Sequence, residues 1–304
     1  MNVAIPHKPV LLEEVSRVCF GLEGVLIDCT LGFGSHSYTL LEQNPKLSII
    51  GVDQDKEALE FATNRLSLFK ERFEAREGSF GEVCAEILSH QKVSAILADI
   101  GVSSYQLDSK ARGFSFESPV LDMRMNQKNR LTAKEVINRY SREELEKIFR
   151  EYGEVREAKK LASLIAESRK KQPFESAKQL ADFIQKHSFS KGGIHPATLP
   201  FQAIRIEVNQ ELEQLKMLLD VAKCKTDILI VISFHSLEDR LVKQAFKTFT
   251  KDCICPDNFM YCECGGGHAL GEILTKKPIV PTLKEIQKNP RSRSSKMRVF
   301  RFFS

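Results

Sequence analysis

Val25-Leu-Ile-Asp28-Cys-Thr-Leu-Gly32-Phe-Gly34-Ser-His36 reads as a short apolar strand, an acid, a turn carrying two glycines and the start of a helix. Glycine in such a turn tolerates positive φ and, having no Cβ, lets a ligand approach the backbone. Outward from it the pattern continues: Ser35 to Gln43 is helical, and Leu47-Ser-Ile-Ile-Gly-Val-Asp53 is a second buried strand. Lys56 to Leu66 then places Leu59, Ala62 and Leu66 at helical spacing. Phe73 to Gly78 offers a third strand and Val93-Ser-Ala-Ile-Leu-Ala-Asp99 a fourth. Strands alternating with helices predict an α/β fold with a Rossmann-like doubly wound sheet.

After the fourth strand the pattern changes. From about Arg112 to Leu219 no comparable apolar strand occurs. Charged helical stretches replace it over Thr132 to Tyr140, Ser141 to Tyr152, Arg156 to Lys171 and Ser176 to His187. Ser141-Arg-Glu-Glu144 has the form of a capping box, and Ser176 suits an N-cap. Sheet character resumes at Asp227-Ile-Leu-Ile-Val-Ile-Ser233, with a helix over Leu237 to Thr248. Met297-Arg-Val-Phe-Arg-Phe-Phe303 alternates like a half-exposed final strand. The expected division is a core over 1–110, a helical, RNA-recognising insertion over 111–219, and a second core part over 220–304 with a Cys-rich loop at 253–268.

Bulk properties narrow the class. At 304 residues, 42% hydrophobic and 28% charged, the chain is globular rather than disordered. A net charge of +5 from 45 Lys+Arg and 40 Asp+Glu neither demands nor excludes nucleic acid. No basic and then apolar leader is present, and no apolar run approaches the roughly 20 residues that span a bilayer. Eight cysteines in a chain of this length are not a disulfide scaffold, so reduced thiols, a cytoplasmic location and no membrane are expected.

Asp53 ends the second strand nineteen positions after Gly34, where an acid accepts hydrogen bonds from ribose hydroxyls. Gly-x-Gly alone is common, and a tight βα turn with an incidental Asp is the plain alternative. Strand, turn, helix, strand and acid together predict a nucleoside cofactor. The dinucleotide fingerprint needs a third glycine three residues after Gly34, and Ser37 stands there. Asp28 before the turn suits a cationic or amino-bearing ligand better than a pyrophosphate. S-adenosylmethionine (SAM), with its amino group and sulfonium, therefore fits better than NAD. The fourth strand ends in Asp99-Ile-Gly101-Val-Ser103-Ser104-Tyr-Gln106, where a methyl acceptor should meet the cofactor. Asp99 has two readings: a partner for an amino group or attacking amine, or a loop carboxylate capping a helix.

The chain resembles the bacterial ribosomal RNA small subunit methyltransferase H family. The resemblance rests on His7-Lys-Pro-Val-Leu-Leu12, Asp28 to His36, Asp99 to Asp108, Arg112-Gly-Phe-Ser-Phe116 and Leu121-Asp-Met-Arg-Met125. It continues through His195-Pro-Ala-Thr198, Phe201 to Ile206, Val208-Asn209, Ile232 to Arg240 and Asn289-Pro-Arg-Ser-Arg-Ser-Ser295. It implies SAM-dependent N4-methylation of a cytidine in the decoding centre of 16S rRNA in the small ribosomal subunit. It also implies a class I methyltransferase fold with a helical insertion. Cofactor contacts carried over by position are Gly34, Ser35, His36, Asp53, Phe80, Asp99 and Gln106, beside Gly32 of the turn. Phe80, just after the third strand, can lie on a purine face or pack in the core. One departure is Glu117-Ser-Pro-Val120, where the family often shows Asp-Gly-Pro.

Cytidine N4 is a poor nucleophile because its lone pair conjugates into the ring, so positioning must supply much of the rate. The Asp/Asn-Pro-Pro-aromatic string common in amino-methylating enzymes is absent; Asp99-Ile-Gly-Val replaces it. Asp99 is the candidate amine-orienting group. His235 is either the proton acceptor or a strand-end histidine fixing its loop. Substrate contacts are expected at Arg112, Asp122, Arg124, Arg205, Asn209, Arg291 and Arg293. Arg130, Lys170, Lys171, Lys296 and Arg298 are further basic candidates, each with the alternative of a solvated surface charge. Arg291 and Arg293 stand out because their Pro-Arg-Ser-Arg-Ser loop shows no packing role.

Cys253, Cys255, Cys262 and Cys264, with His268 following, offer soft ligands within sixteen residues. Structural zinc, free thiols in a loop, and a disulfide all remain open. Functional alternatives are a non-catalytic ribosome-assembly factor on the same fold, a methyltransferase acting on another RNA or DNA amine, and a nicotinamide oxidoreductase. A homodimer stays open.

Overall fold

The computed structural model describes residues 9–187, 195–256 and 261–303, so His7 and Lys8 of the first matching string lie outside the described residues. The chain divides into two compact units, Met1–Gly101 with Glu213–Ser304, and Val102–Leu212. The first unit opens with α1 (Leu12–Val18), β1 (Gly24–Asp28), α2 (Ser35–Gln43), β2 (Leu47–Asp53), α3 (Lys56–Arg65), β3 (Phe73–Glu77), α4 (Phe80–His90) and β4 (Val93–Asp99). The second carries α5 (Ser104–Asp108), α6 (Ala133–Arg139), α7 (Arg142–Glu151), α8 (Ala158–Lys171), α9 (Ala177–His187) and α10 (Thr198–Asn209). Then follow α11 (Glu211–Val221), β5 (Thr226–Ser233), α12 (Ser236–Phe249), β6 (Gly271–Ile273), α13 (Leu283–Lys288) and β7 (Lys296–Phe302).

Among the described residues the strands form one sheet in the order β3-β2-β1-β4-β5-β7-β6. β1 to β5 run parallel, and β7 is antiparallel to both β5 and β6. This is the class I SAM-dependent methyltransferase arrangement. Strand order reverses between β1 and β4, so a crevice forms beyond the carboxyl ends of β1, β2 and β4. The central strands carry apolar residues on both faces because helices cover both. Ile27, Val52, Ile96, Leu229 and Val231 belong to one cluster; Leu26, Ile49, Leu97 and Ile230 belong to the other. The edges are guarded differently. β3 is charged and mostly exposed, and β6 is only three residues long.

β7 corrects the expectation of a half-exposed strand. Met297 and Val299 lie in one apolar cluster and Phe300 and Phe302 in the other, because pairing with β6 makes β7 an interior strand. The helical unit has its own core, including Leu145, Ile148 and Phe149 of α7 and Leu161 and Ile165 of α8. Thr132 and Ser141 close capping boxes with Glu135 and Glu144, and Ser176 Oγ accepts from Gln179 N at 3.1 Å to begin α9. Leu215, Leu218 and Leu219 of α11 pack into the sheet unit's core, although the charged pattern had suggested the insertion for them. Residues 102–110, including α5, go the other way and belong to the helical unit. No helix among the described residues is long and apolar enough to cross a membrane.

Candidate active site

β1 delivers the chain into the turn at Asp28, and the turn is fixed from several sides. Gly32 (φ 51°) and Gly34 (φ 71°) both occupy the left-handed region. At Gly34 a Cβ would also meet Leu66 Cδ1 at 3.0 Å and Ala62 Cβ at 3.3 Å, so both conformation and space call for glycine. Arg65 of α3 donates from Nη1 to Phe33 O and to Ser35 Oγ, each at 2.9 Å. Thr30 Oγ1 accepts from Asp99 N at 2.7 Å and ties the turn to the end of β4. α2 begins at Gly34 without a side-chain cap, which leaves its first N–H groups to water or to a ligand.

Asp28 is buried and accepts from Ser37 Oγ at 2.6 Å and from Thr30 N at 3.3 Å. Burial pushes its carboxyl upward, with the Ser37 hydrogen bond pulling the other way. Asp28 therefore ties the turn to the first turn of α2. Ser37 occupies the missing third glycine position because its hydroxyl anchors that acid.

Asp53 closes the other side of the crevice. Its carboxylate accepts from Gly32 N and from Asp55 N, both at 2.8 Å. Burial pushes it up to about 6, against the pull of those two N–H donors. Asp99 and His36 meet at the end of β4, with Asp99 Oδ2 3.6 Å from His36 Nε2. His36 is 7% exposed. Neither of its ring nitrogens, nor Asp99 Oδ1, has a hydrogen-bond partner among the described residues. Buried polar atoms are normally satisfied, so these orphans mark a place where a polar ligand completes the site. Asp99 and Asp28 both lie near His36, which makes that place favourable to positive charge.

The other expected cofactor residues are placed differently. Phe80 starts α4 and packs in the apolar cluster with Cys84 and Ile87. Gln106 lies in the helical unit, where its side chain accepts from Ser103 N at 3.1 Å and completes the capping box that opens α5. His235 lies two residues past β5, as the N-cap of α12, with Nε2 2.9 Å from Glu238 Oε1. Glu238 is fully buried and its Oε2 accepts from Phe234 N at 2.8 Å and His235 N at 3.3 Å. The spacing from His235 to Glu238 is one helical turn and was the available signal for this carboxylate.

Within the helical unit the expected substrate residues serve as internal braces. Arg112 is 4% exposed and its Nη2 donates to Met125 O at 2.9 Å and Arg124 O at 3.2 Å. Asp122 and Arg124 pair at 2.7 Å, and Arg124 Nη1 also donates to Gln127 O and Asn129 O. Burial raises and Arg124 lowers the Asp122 carboxyl, with a net downward shift. Arg205 makes a two-point contact with Glu211 at 2.8 Å. These guanidinium groups are tied to carbonyls and carboxylates of the helical unit.

Asn209 is the hub of this brace. It accepts from Met125 N at 2.8 Å and donates to Met123 O at 2.8 Å and Arg205 O at 2.9 Å. Met123 is held at φ 61°, a conformation costly for a residue with a side chain. Asn209→Leu is therefore expected to destabilise by about 3 kcal/mol, since buried backbone groups lose their partners at roughly 1–3 kcal/mol each. The midpoint of urea unfolding checks this; an unchanged midpoint removes Asn209 as the hub.

The carboxyl-terminal segment also differs from expectation. Pro290–Ser294 is a 3₁₀ turn in which Ser292 is buried, and Ser295 is buried behind it, so the segment does pack. Arg291 and Arg293 point outward. Arg298 is 8% exposed and donates to Asp239 at 2.6 Å, with Lys296 at 3.4 Å from the same carboxylate. Arg298 is thus a buried ion-pair member rather than part of a basic patch. The four loop cysteines converge, with all four Sγ atoms within 4.8 Å of one another. His268 is outside the group and its Nε2 lies 3.3 Å from Cys264 O.

The sequence profile of the MraW methylase family matches residues 4–303. Ribosomal RNA small subunit methyltransferase H from Aliarcobacter butzleri is 57% identical over 98% of this chain and 99% of its own length. The proteins of that name from Wolinella succinogenes and Helicobacter pylori are 54% and 55% identical, covering 98% and 97% of this chain and 99% and 97% of their own lengths. The crystal structure of an rRNA methylase from Streptococcus thermophilus aligns over 99% of this chain and 100% of its own at 10% identity, with a TM-score of 0.39. Sequence likeness along the whole length, on a sheet of methyltransferase order, places this chain in the MraW methylase family.

Proposed function

We propose that this chain transfers a methyl group from SAM to N4 of a cytidine in the decoding centre of 16S rRNA, acting on the small ribosomal subunit. The observation that carries the cofactor reading is the set of orphaned polar atoms on His36 and Asp99 beside the Gly32–Gly34 turn. The residues fit SAM: Asp53 accepts from ribose hydroxyls, the glycines admit close backbone approach, and Asp99 and His36 face an amino group. When bound, SAM supplies a methyl group activated by a positively charged sulfur. The family's curated relatives, named for small-subunit rRNA, support the substrate class.

Asp99 orients the acceptor amine and favours the positive charge that grows on it, through an oxygen that no group among the described residues occupies. His235 takes the departing proton, with Glu238 at 2.9 Å holding the ring in place. On the RNA side, Arg291 and Arg293 contact phosphate, and an unstacked cytidine is read in the crevice. Lys170 lines a groove of about 470 Å³ in the helical unit together with Arg142, Arg169 and Glu167.

The test is methyl transfer from labelled SAM to small subunits that lack this modification, with the product nucleoside identified by mass. N4-methylcytidine at one site is expected. Binding of subunits without transfer favours an assembly factor, and a different methylated nucleoside, or labelling of DNA instead, overturns the acceptor assignment.

A further inference from the structure

We propose that Cys253, Cys255, Cys262 and Cys264 form a four-thiolate zinc site that staples the loop between α12 and β6; this does not rest on the methylation reading. Cys253 Sγ lies 3.6 Å from both Cys262 Sγ and Cys264 Sγ, and the latter two are 3.5 Å apart. Four sulfurs around a tetrahedral zinc at about 2.3 Å stand about 3.8 Å from one another. The observed triangle, with Cys255 inside the 4.8 Å limit, is close to that figure. A disulfide is a poor match, because its sulfurs sit about 2.05 Å apart and pair off rather than forming a triangle.

The loop's other features agree with a metal knot. Ile254 N points at Cys264 Sγ at 3.4 Å, and Glu263 N at Cys255 Sγ at 3.3 Å. N–H groups aimed at sulfur stabilise thiolates, and a zinc centre with four of them carries a net charge of −2 that such donors offset. Two apolar side chains among the loop's described residues lie open to solvent. Ile254 is 64% exposed and Tyr261 is 81% exposed. It is closed at its base by His268 N to Asp252 O at 3.1 Å, Gly267 N to Asp252 Oδ1 at 2.8 Å and Leu270 N to Phe249 O at 2.7 Å. A loop with such exposed apolar side chains gains its order from cross-linking, and metal binding supplies folding free energy directly. Binding exchanges the thiol protons for zinc and releases them to solvent. Soft, all-sulfur tetrahedral ligation favours zinc over magnesium or calcium. The tight Cys-x-Cys spacing allows the site because each pair contributes both of its sulfurs at one end of the loop.

Protein purified anaerobically, without chelators or metal-affinity resin, is expected to contain one zinc per chain by elemental analysis. Cys253→Ser/Cys255→Ser is expected to lose it, while Cys224→Ser, an exposed cysteine elsewhere, retains it. Wild-type chain stripped by chelator and reloaded with cobalt(II) should show the thiolate-to-cobalt charge-transfer band of a tetrahedral sulfur site, a readout that needs no variant to fold. Iron in place of zinc, equal zinc in the double variant and wild type, or the absence of that band overturns the proposal.

Discussion

Asp99→Ala is expected to lower single-turnover methyl transfer by about 10²–10³-fold, the range for removing a preorganised charge-stabilising group or proton-transfer partner. Asp99 has a buried oxygen with no hydrogen-bond partner among the described residues, and it sits at the end of β4 where the sheet order reverses. Its backbone is held independently, by Asp99 N donating to Thr30 Oγ1 at 2.7 Å, so truncating the side chain leaves the turn intact. Asp99→Asn separates two contributions. If orientation dominates, the amide retains much of the rate; if charge dominates, it falls with alanine. Cofactor affinity measured by calorimetry accompanies the kinetics. Turnover within threefold of wild type in Asp99→Ala removes Asp99 from the reaction.

The second large effect concerns Asp53 and is tied to pH. In the free protein burial lifts this carboxyl from its ordinary value near 3.8 up to about 6. Between those two values the folded chain keeps a proton that the unfolded chain has released, so Asp53 removes stability as pH rises through that window. An acid kept where its charge opposes folding is a candidate for binding. Ribose hydroxyls donate to the ionised form, so binding lowers its pKa and releases a proton near pH 6. SAM affinity should therefore be level above about pH 7 and fall by about tenfold per pH unit below 6. Asp53→Ala should weaken binding by about 10²-fold at pH 7.5, as charge-assisted hydrogen bonds contribute roughly 1.5–3 kcal/mol each. Asp53→Asn should flatten the pH dependence. Calorimetry in buffers of different ionisation enthalpy reads both affinity and proton release. An unchanged pH profile in the asparagine variant assigns the titration to another group.

Much of the sheet was legible because buried parallel strands are continuous apolar runs. Val25–Ile27, Ile49–Val52, Ile96–Ala98 and Ile228–Ile232 stand out against their charged neighbours. β6 was missed because three residues carry no period, and α10 and α11 because their apolar positions blend into one long mixed segment. β7 was misjudged because alternation records side-chain polarity, not which partner covers the polar face. Arg298 is buried by its pairing with Asp239, fifty-nine residues away.

The sequence by itself determined the fold class, the place of the glycine turn and the acids Asp53 and Asp99 at strand ends, since these depend on local period and short spacing. It also carried the family resemblance, which sequence comparison bears out. Tertiary structure alone decided what each polar side chain does. Arg112, Arg205 and Asn209 read from the chain alone as substrate contacts, and in space they bond to backbone or to Glu211 within the helical unit. Asp28 and Asp99 end neighbouring strands in the same way, but one is occupied by Ser37 and the other is left open. Hydrogen-bond partners are set by distance in space, and no spacing along the chain encodes which of two like residues has already found its own.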